Sequence, residues 1–212
     1  MNRDDAERMQ RFRLRAGRME AFSDGVFAIA TTLLVLEISV SAAADADLFG
    51  AIVDEWPSYL AYLVSFSTIG AIWIGHAYLS EVLREVSPGF LRLNLLLLLF
   101  VAFLPFPTRL LADNLGMENA ERVAVTLYGA VLLATSGCLW MLWRFALKDD
   151  LVRTDRDEAD LRFVGRKLTP GLAFYVGLIV VGLFFPIVAV FGYFLVAISL
   201  LLPRRRTRAR DT

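Results

Sequence analysis

Three polar side chains sit inside otherwise apolar runs. Asp24 lies in RMEAFSDGVFAIATTLLVLEI (18–38), His76 closes WIGH (73–76) with Trp73, and Asn94 ends LRLN (91–94). A carboxylate, an imidazole and an amide can exchange hydrogen bonds, pass a proton or touch a passing cation. They offer little for covalent chemistry. The chain has one histidine and one cysteine, Cys138. That argues against a zinc cluster or a Cys/His dyad. Neither an H-E-x-x-H nor a G-x-S-x-G motif occurs, so no enzymatic activity is expected. A lone charge at membrane depth costs roughly 3 kcal/mol on insertion scales, so Asp24 calls for partners on other helices. Two readings stand side by side. In one, the polar groups staple helices together. In the other, Asp24 or His76 handles protons or permeating ions.

The elements that position these groups are membrane helices. Of 212 residues 57% are hydrophobic and the mean hydropathy is +0.57, whereas a soluble chain is about 45–50% apolar. A crossing of about 30 Å takes about 20 apolar residues. On that measure spans are expected at about 19–40, 56–79, 90–111 and 123–143. The last block, 168–202, is too long for one crossing and carries Pro186 in its middle. It divides into 168–184 and 187–202, because proline cannot continue a helical ladder. The expected architecture is therefore an all-α integral membrane protein with six transmembrane helices. Residues 1–17 form a cytoplasmic segment, 18–203 the membrane domain and 204–212 a basic tail.

Charge supports six. Lys and Arg number 6 up to Arg18, 2 around the second connection, 7 from Arg144 to Lys167 and 5 after the last span, 20 on one side. Arg109 and Arg122 alone fall on the other. Basic residues favour the cytoplasm. Both termini are thus expected there, in a multi-pass protein of the cell (inner) membrane. The acidic and basic connector after Arg144 reads as a solvated loop.

With that topology Asp24, His76 and Asn94 lie at similar depth, within reach of one another on antiparallel neighbours. Arg18 falls on a different helix face from Asp24. At the other end Glu37 and Arg109 share a depth at which they can pair. On an ideal helix of about 100° per residue, Ile29, Leu33, Leu36 and Val40 form one stripe, flanked by Gly25 and Thr32, with Asp24 about 140° away from Ile29. Pattern alone has such a stripe face lipid or a neighbouring helix.

The segment Arg18-x-x-x-Phe22-Ser23-Asp24 resembles the signature of the prokaryotic transmembrane protein 175 family, related to the potassium channels of endosomes and lysosomes. WIGH, LRLN and FLPFPTRLL (103–111) match further pieces in order. The resemblance implies a homotetramer whose first helices line a central pore with a hydrophobic constriction. By position it implies Ile29, Leu33 and Leu36 as constriction residues and Thr32 as a selectivity-related residue. It also implies a polar network of Arg18, Phe22, Ser23, Asp24, Trp73, His76 and Asn94. The expected partners are potassium ions passing near Ile29 and Thr32, the lipid bilayer and further copies of the chain. No cofactor, fixed metal or nucleic acid is implied. No TVGYG-type loop occurs, so a carbonyl filter is excluded and modest selectivity is expected. The alternative is a proton-coupled carrier using Asp24 and His76.

Overall fold

The computed structural model describes residues 15–38, 48–153, 165 and 171–202. The expected N-terminal segment up to residue 14, Val40 of the stripe, most of the 144–167 connector, residues 168–170 and the basic tail lie outside the described residues. Every regular element of any length is helical: α1 (Ala16–Leu33), α2 (Leu48–Asp54), α3 (Trp56–Val82), α4 (Pro88–Phe103), α5 (Pro105–Asn114), α6 (Glu118–Lys148), α7 (Gly171–Gly182) and α8 (Pro186–Leu201). Among the described residues four stretches are long and apolar enough to cross a membrane: Ala16–Glu37, Trp56–Val82, Pro88–Asn114 and Asn119–Lys148. α7 and α8 are apolar but short, with 12 and 16 residues.

Prolines set the helix starts and one break. Pro88 and Pro186 open α4 and α8, where the missing N–H is not needed. Ser87 caps α4 by accepting from the Phe90 N–H at 3.3 Å. The third span, expected as one rod over 90–111, is interrupted at Leu104. Pro105 and Pro107 each remove a ladder donor there, yet Leu104 keeps helical angles (φ −55°, ψ −36°). α4 and α5 therefore follow one another as a jointed span. A second departure concerns α1. It was expected to run as α-helix to 40. It stops at Leu33 and tightens into a 3-10 turn over Leu34–Glu37. The 31-residue α6 outruns the expected 123–143 at both ends.

α1 leans on α3 and α4, α6 packs on α4 and α5, α8 packs on α3, and α7 packs on α6 and α8. The two loops at one end are tied together by an antiparallel bridge between Leu83 and Val152. Its bonds run from Arg84 N to Leu151 O and from Arg153 N to Val82 O, both 2.9 Å. The far bundle is built on buried tyrosines. Tyr128 meets Ser65 Oγ at 2.9 Å, and Ser65 meets Thr108 at 2.7 Å, which ties α3, α5 and α6 through hydroxyls. Tyr193 stacks near Tyr128 and Tyr175, but its hydroxyl is buried without a partner among the described residues.

That hydroxyl occupies the space above Gly129. A Cβ at Gly129 would overlap it and would stand 2.8 Å from Ile179 Cγ1. Gly129→Ala is expected to destabilise by about 1–3 kcal/mol, as overpacking does. Adding Tyr193→Phe should recover part of the loss, because it removes the overlapping atom and an unsatisfied polar group. Thermal unfolding in detergent checks this. A Gly129→Ala protein as stable as the parent would contradict the packing described.

Candidate permeation site

α1 has two unlike faces. Met19, Ser23, Phe27 and Ala30, with Leu34 beyond, are buried. Their spacing of three and four residues makes one stripe toward α3 and α4. The opposite face carries Gly25, Ala28, Ile29, Thr32, Leu33 and Leu36, all exposed within the single chain. Ile29 is 62% and Leu36 70% exposed. The stripe found in the sequence is thus unpartnered within the subunit. Phe22 and Arg18 are exposed on α1 as well.

The polar network divides into two parts. Ser23 is buried and donates to its own Met19 carbonyl at 2.8 Å. Its single proton is therefore used, and its oxygen accepts from Asn94 Nδ2 at 3.0 Å. That fixes the amide, so Asn94 Oδ1 faces His76 Nε2 at 2.9 Å and must accept from it. His76 is consequently the tautomer protonated at Nε2. Nδ1 is buried with no partner among the described residues. The ring also packs on Phe27, with centroids 5.6 Å apart. Three helices, α1, α3 and α4, are joined in one directed chain.

Asp24 takes a different place from the one its depth suggested. Three helices do meet at that level, but Ser23, not Asp24, is the α1 group bonded to Asn94. Asp24 accepts from Trp73 Nε1 at 2.9 Å on the exposed rim. The physical reason is helical rotation: adjacent residues point about 100° apart, so Ser23 faces the α3–α4 seam and Asp24 passes beside it.

Thr32 donates its hydroxyl to the Ile29 carbonyl at 2.9 Å. With its proton held by the backbone, the Thr32 oxygen presents lone pairs to whatever lies along the free face. At the end of α1, Glu37 Oε2 stands 3.9 Å from Arg109 Nη1, and Arg109 Nε stands 3.5 Å from Asp113 Oδ2. The two groups that depth matching left free to pair are thus brought together, with Asp113 as a third member. Sequence reasoning missed what lies beside it. An open cleft of about 410 Å³ is walled by Leu33, Leu36, Ala102, Phe103 and Phe106. The two prolines of FLPFPTRLL were the available signal, since they mark the joint that opens it.

Comparison with known proteins follows the same lines. The family described as endosomal/lysosomal potassium channel TMEM175 matches residues 18–105. The chain is 40% identical over 170 residues to a protein of Streptomyces collinus named as a potassium channel, covering 75% of this chain and 82% of that one. It is 41% identical over 162 residues to a protein of Chamaesiphon minutus named likewise, covering 74% and 79%. Its fold is similar to a crystal structure described as a lysosomal potassium-selective channel TMEM175 homolog from Chamaesiphon minutus. The TM-score there is 0.79 at 35% identity, over 88% of this chain and 96% of that one. Relatives matched over most of their length and a solved structure with the same fold lead to one conclusion: this is a multi-pass membrane protein that belongs to the TMEM175 family.

Proposed function

We propose that the chain is a potassium-permeable, modestly selective cation channel, formed by four copies whose α1 helices surround the ion path. The observation that carries this reading is the free face of α1. It is unpartnered within the subunit, yet it is unlike the lipid-suited surfaces elsewhere. α8 presents Val188, Phe191 and Leu195, and α4 presents Leu95 and Leu99. The free face of α1 mixes Gly25, Ala28 and Thr32 with Ile29, Leu33 and Leu36. Small residues let helices approach closely in a membrane, and ionisable or polar groups there generally face an interior or a pathway. The relatives named as potassium channels add the ion.

In this reading each subunit crosses six times, α4 and α5 forming one crossing and the short α7 and α8 the last two. The membrane domain covers 18–203, between the 1–17 segment and the 204–212 tail. Both termini are cytoplasmic, in the cell (inner) membrane. Ile29, Leu33 and Leu36 form successive apolar rings that resist hydration. Thr32 oxygens offer partial replacement of a potassium ion's water near Ile29. Arg18, Phe22, Ser23 and Asp24, with Trp73, His76 and Asn94, hold the base of the pore helix rather than contact the ion. The proton-coupled carrier gains less support, because Asp24 and His76 both spend bonds on neighbouring helices.

Single-channel recording in planar bilayers under a potassium/sodium gradient tests the function. Unitary steps with a reversal potential displaced toward that of potassium are expected. Flux without unitary steps, coupled to a proton gradient, would favour the carrier.

A further inference from the structure

We propose that Glu37 and Arg109 are positioning residues for the outer constriction, and that they act by holding the Leu34–Glu37 turn in its 3-10 form. The proposal rests on the reading of α1 as the lining of the ion path.

The geometry starts at Leu33 and Leu34, whose φ/ψ values of −65°/−27° and −57°/−31° lie in the 3-10 range. A 3-10 turn rotates about 360° over three residues where an α-helix rotates about 300°. Leu36 therefore stands over Leu33, beside the cleft at the α4–α5 joint. In an α-helix it would fall seven residues beyond Ile29 on the Ile29 line. The two forms differ by a swing of about 60° at Leu36 and about 80° at Glu37. The cleft lies beside Leu36 in the 3-10 form: both leucines wall its about 410 Å³ of open space, and Leu36 stays 70% exposed.

The ion pair favours the same form. Glu37 comes within 3.9 Å of Arg109, and rewinding to α-helix would turn it away. Arg109 is itself fixed to α5 through Asp113. Leu36 is thus held partly off the Ile29 line, toward the joint, so that the outer ring it forms is wide. Releasing Glu37 lets the turn relax toward α-helix and swings Leu36 onto that line, so the outer ring closes.

The test is potassium flux into liposomes at matched tetramer density. Glu37→Gln is expected to lower flux by about two- to fivefold, the range set by one partly exposed ion pair. Ala102→Phe fills the cleft, which Glu37 and Arg109 also line, and should lower flux in the same direction without removing either charge of the ion pair. It carries the test if Glu37→Gln fails to fold. The decisive comparison is made with Leu36→Ala, which leaves nothing to swing: Glu37→Gln added to Leu36→Ala should have no further effect. An equal fall in both backgrounds would mean that Glu37 acts through its charge at the mouth, and the proposal fails. It also fails if neither Glu37→Gln nor Ala102→Phe changes flux while Ile29→Ala and Leu36→Ala raise it. If Ile29→Ala and Leu36→Ala are themselves silent in an intact tetramer, the α1 reading is what has failed.

Discussion

Replacing Ile29 with alanine should raise potassium flux at least about tenfold, equivalent to about 1.4 kcal/mol off the barrier. Ile29 is the largest exposed side chain near the middle of the free face of α1. Each substitution removes three carbons, and the proposed fourfold assembly would repeat the loss around one ring. A wider ring holds water more readily, so a hydrated ion meets a lower barrier and size discrimination weakens. Sodium flux should therefore rise by a larger factor than potassium flux. Ile29→Asn should also raise conduction, by supplying polar groups rather than space. Leu195→Ala, on an exposed face of α8, serves as the control and should change neither flux. Ion flux into liposomes at matched tetramer density decides it. An intact tetramer in which both Ile29 variants leave flux and selectivity unchanged would remove α1 from the ion path.

The second large effect is expected on assembly. Asn94 is the middle of the chain from His76 to Ser23, and Asn94→Ala breaks two interhelical bonds together. Such bonds are worth about 0.6 to 1.7 kcal/mol each inside a membrane. The substitution also strands the buried His76 N–H, so the total is about 2–4 kcal/mol. The unfolding midpoint in detergent should fall, and the yield of tetramer with it. Asp24→Ala should be milder, because it breaks one bond on the exposed rim and leaves the buried chain intact. The double variant Asn94→Leu with His76→Leu should be less damaged than Asn94→Ala, since no buried donor is left unpaired. Equal damage from Asp24→Ala and Asn94→Ala would overturn this ranking.

Much of this was legible before any coordinates. Helix positions followed from apolar run length, because hydrocarbon thickness sets a length that sequence displays directly. Pro186 opens α8, since a proline at that point has only one helical use, as a first residue. The shared depth of Asp24, His76 and Asn94 was visible, and so was the proximity of Glu37 and Arg109. Depth, however, is one coordinate of three. Which α1 side chain meets Asn94 depends on rotation about the helix axis, and that is fixed by the packing of Phe27 and Ala30 against neighbours. Periodicity gave the apolar stripe but not the tightening at Leu34, since a switch from 3.6 to 3.0 residues per turn over about four residues leaves too short a pattern to detect. The hydroxyl cluster of Ser65, Thr108 and Tyr128 carried no local signal. Each of its members is ordinary in its own helix, and only the fold brings them together.

The base of α1 is gripped at Ser23 and rimmed by the Asp24–Trp73 bond, while the bridge between Leu83 and Val152 braces the neighbouring loops. At the other end Leu34 is buried in the core, but the polar tie to a neighbouring helix is one long ion pair. Mechanically this is a beam fixed by directional bonds at one end and mainly by apolar packing, which can slide, at the other. Deflection grows with distance from the clamp. Ile29 lies about 9 Å along the axis from Ser23 and Leu36 about 21 Å, so one small tilt moves Leu36 about twice as far as Ile29. In the proposed tetramer a symmetric set of such beams would narrow or widen most at the Leu36 end, and a force applied there would have the greatest leverage over the proposed ring at Ile29.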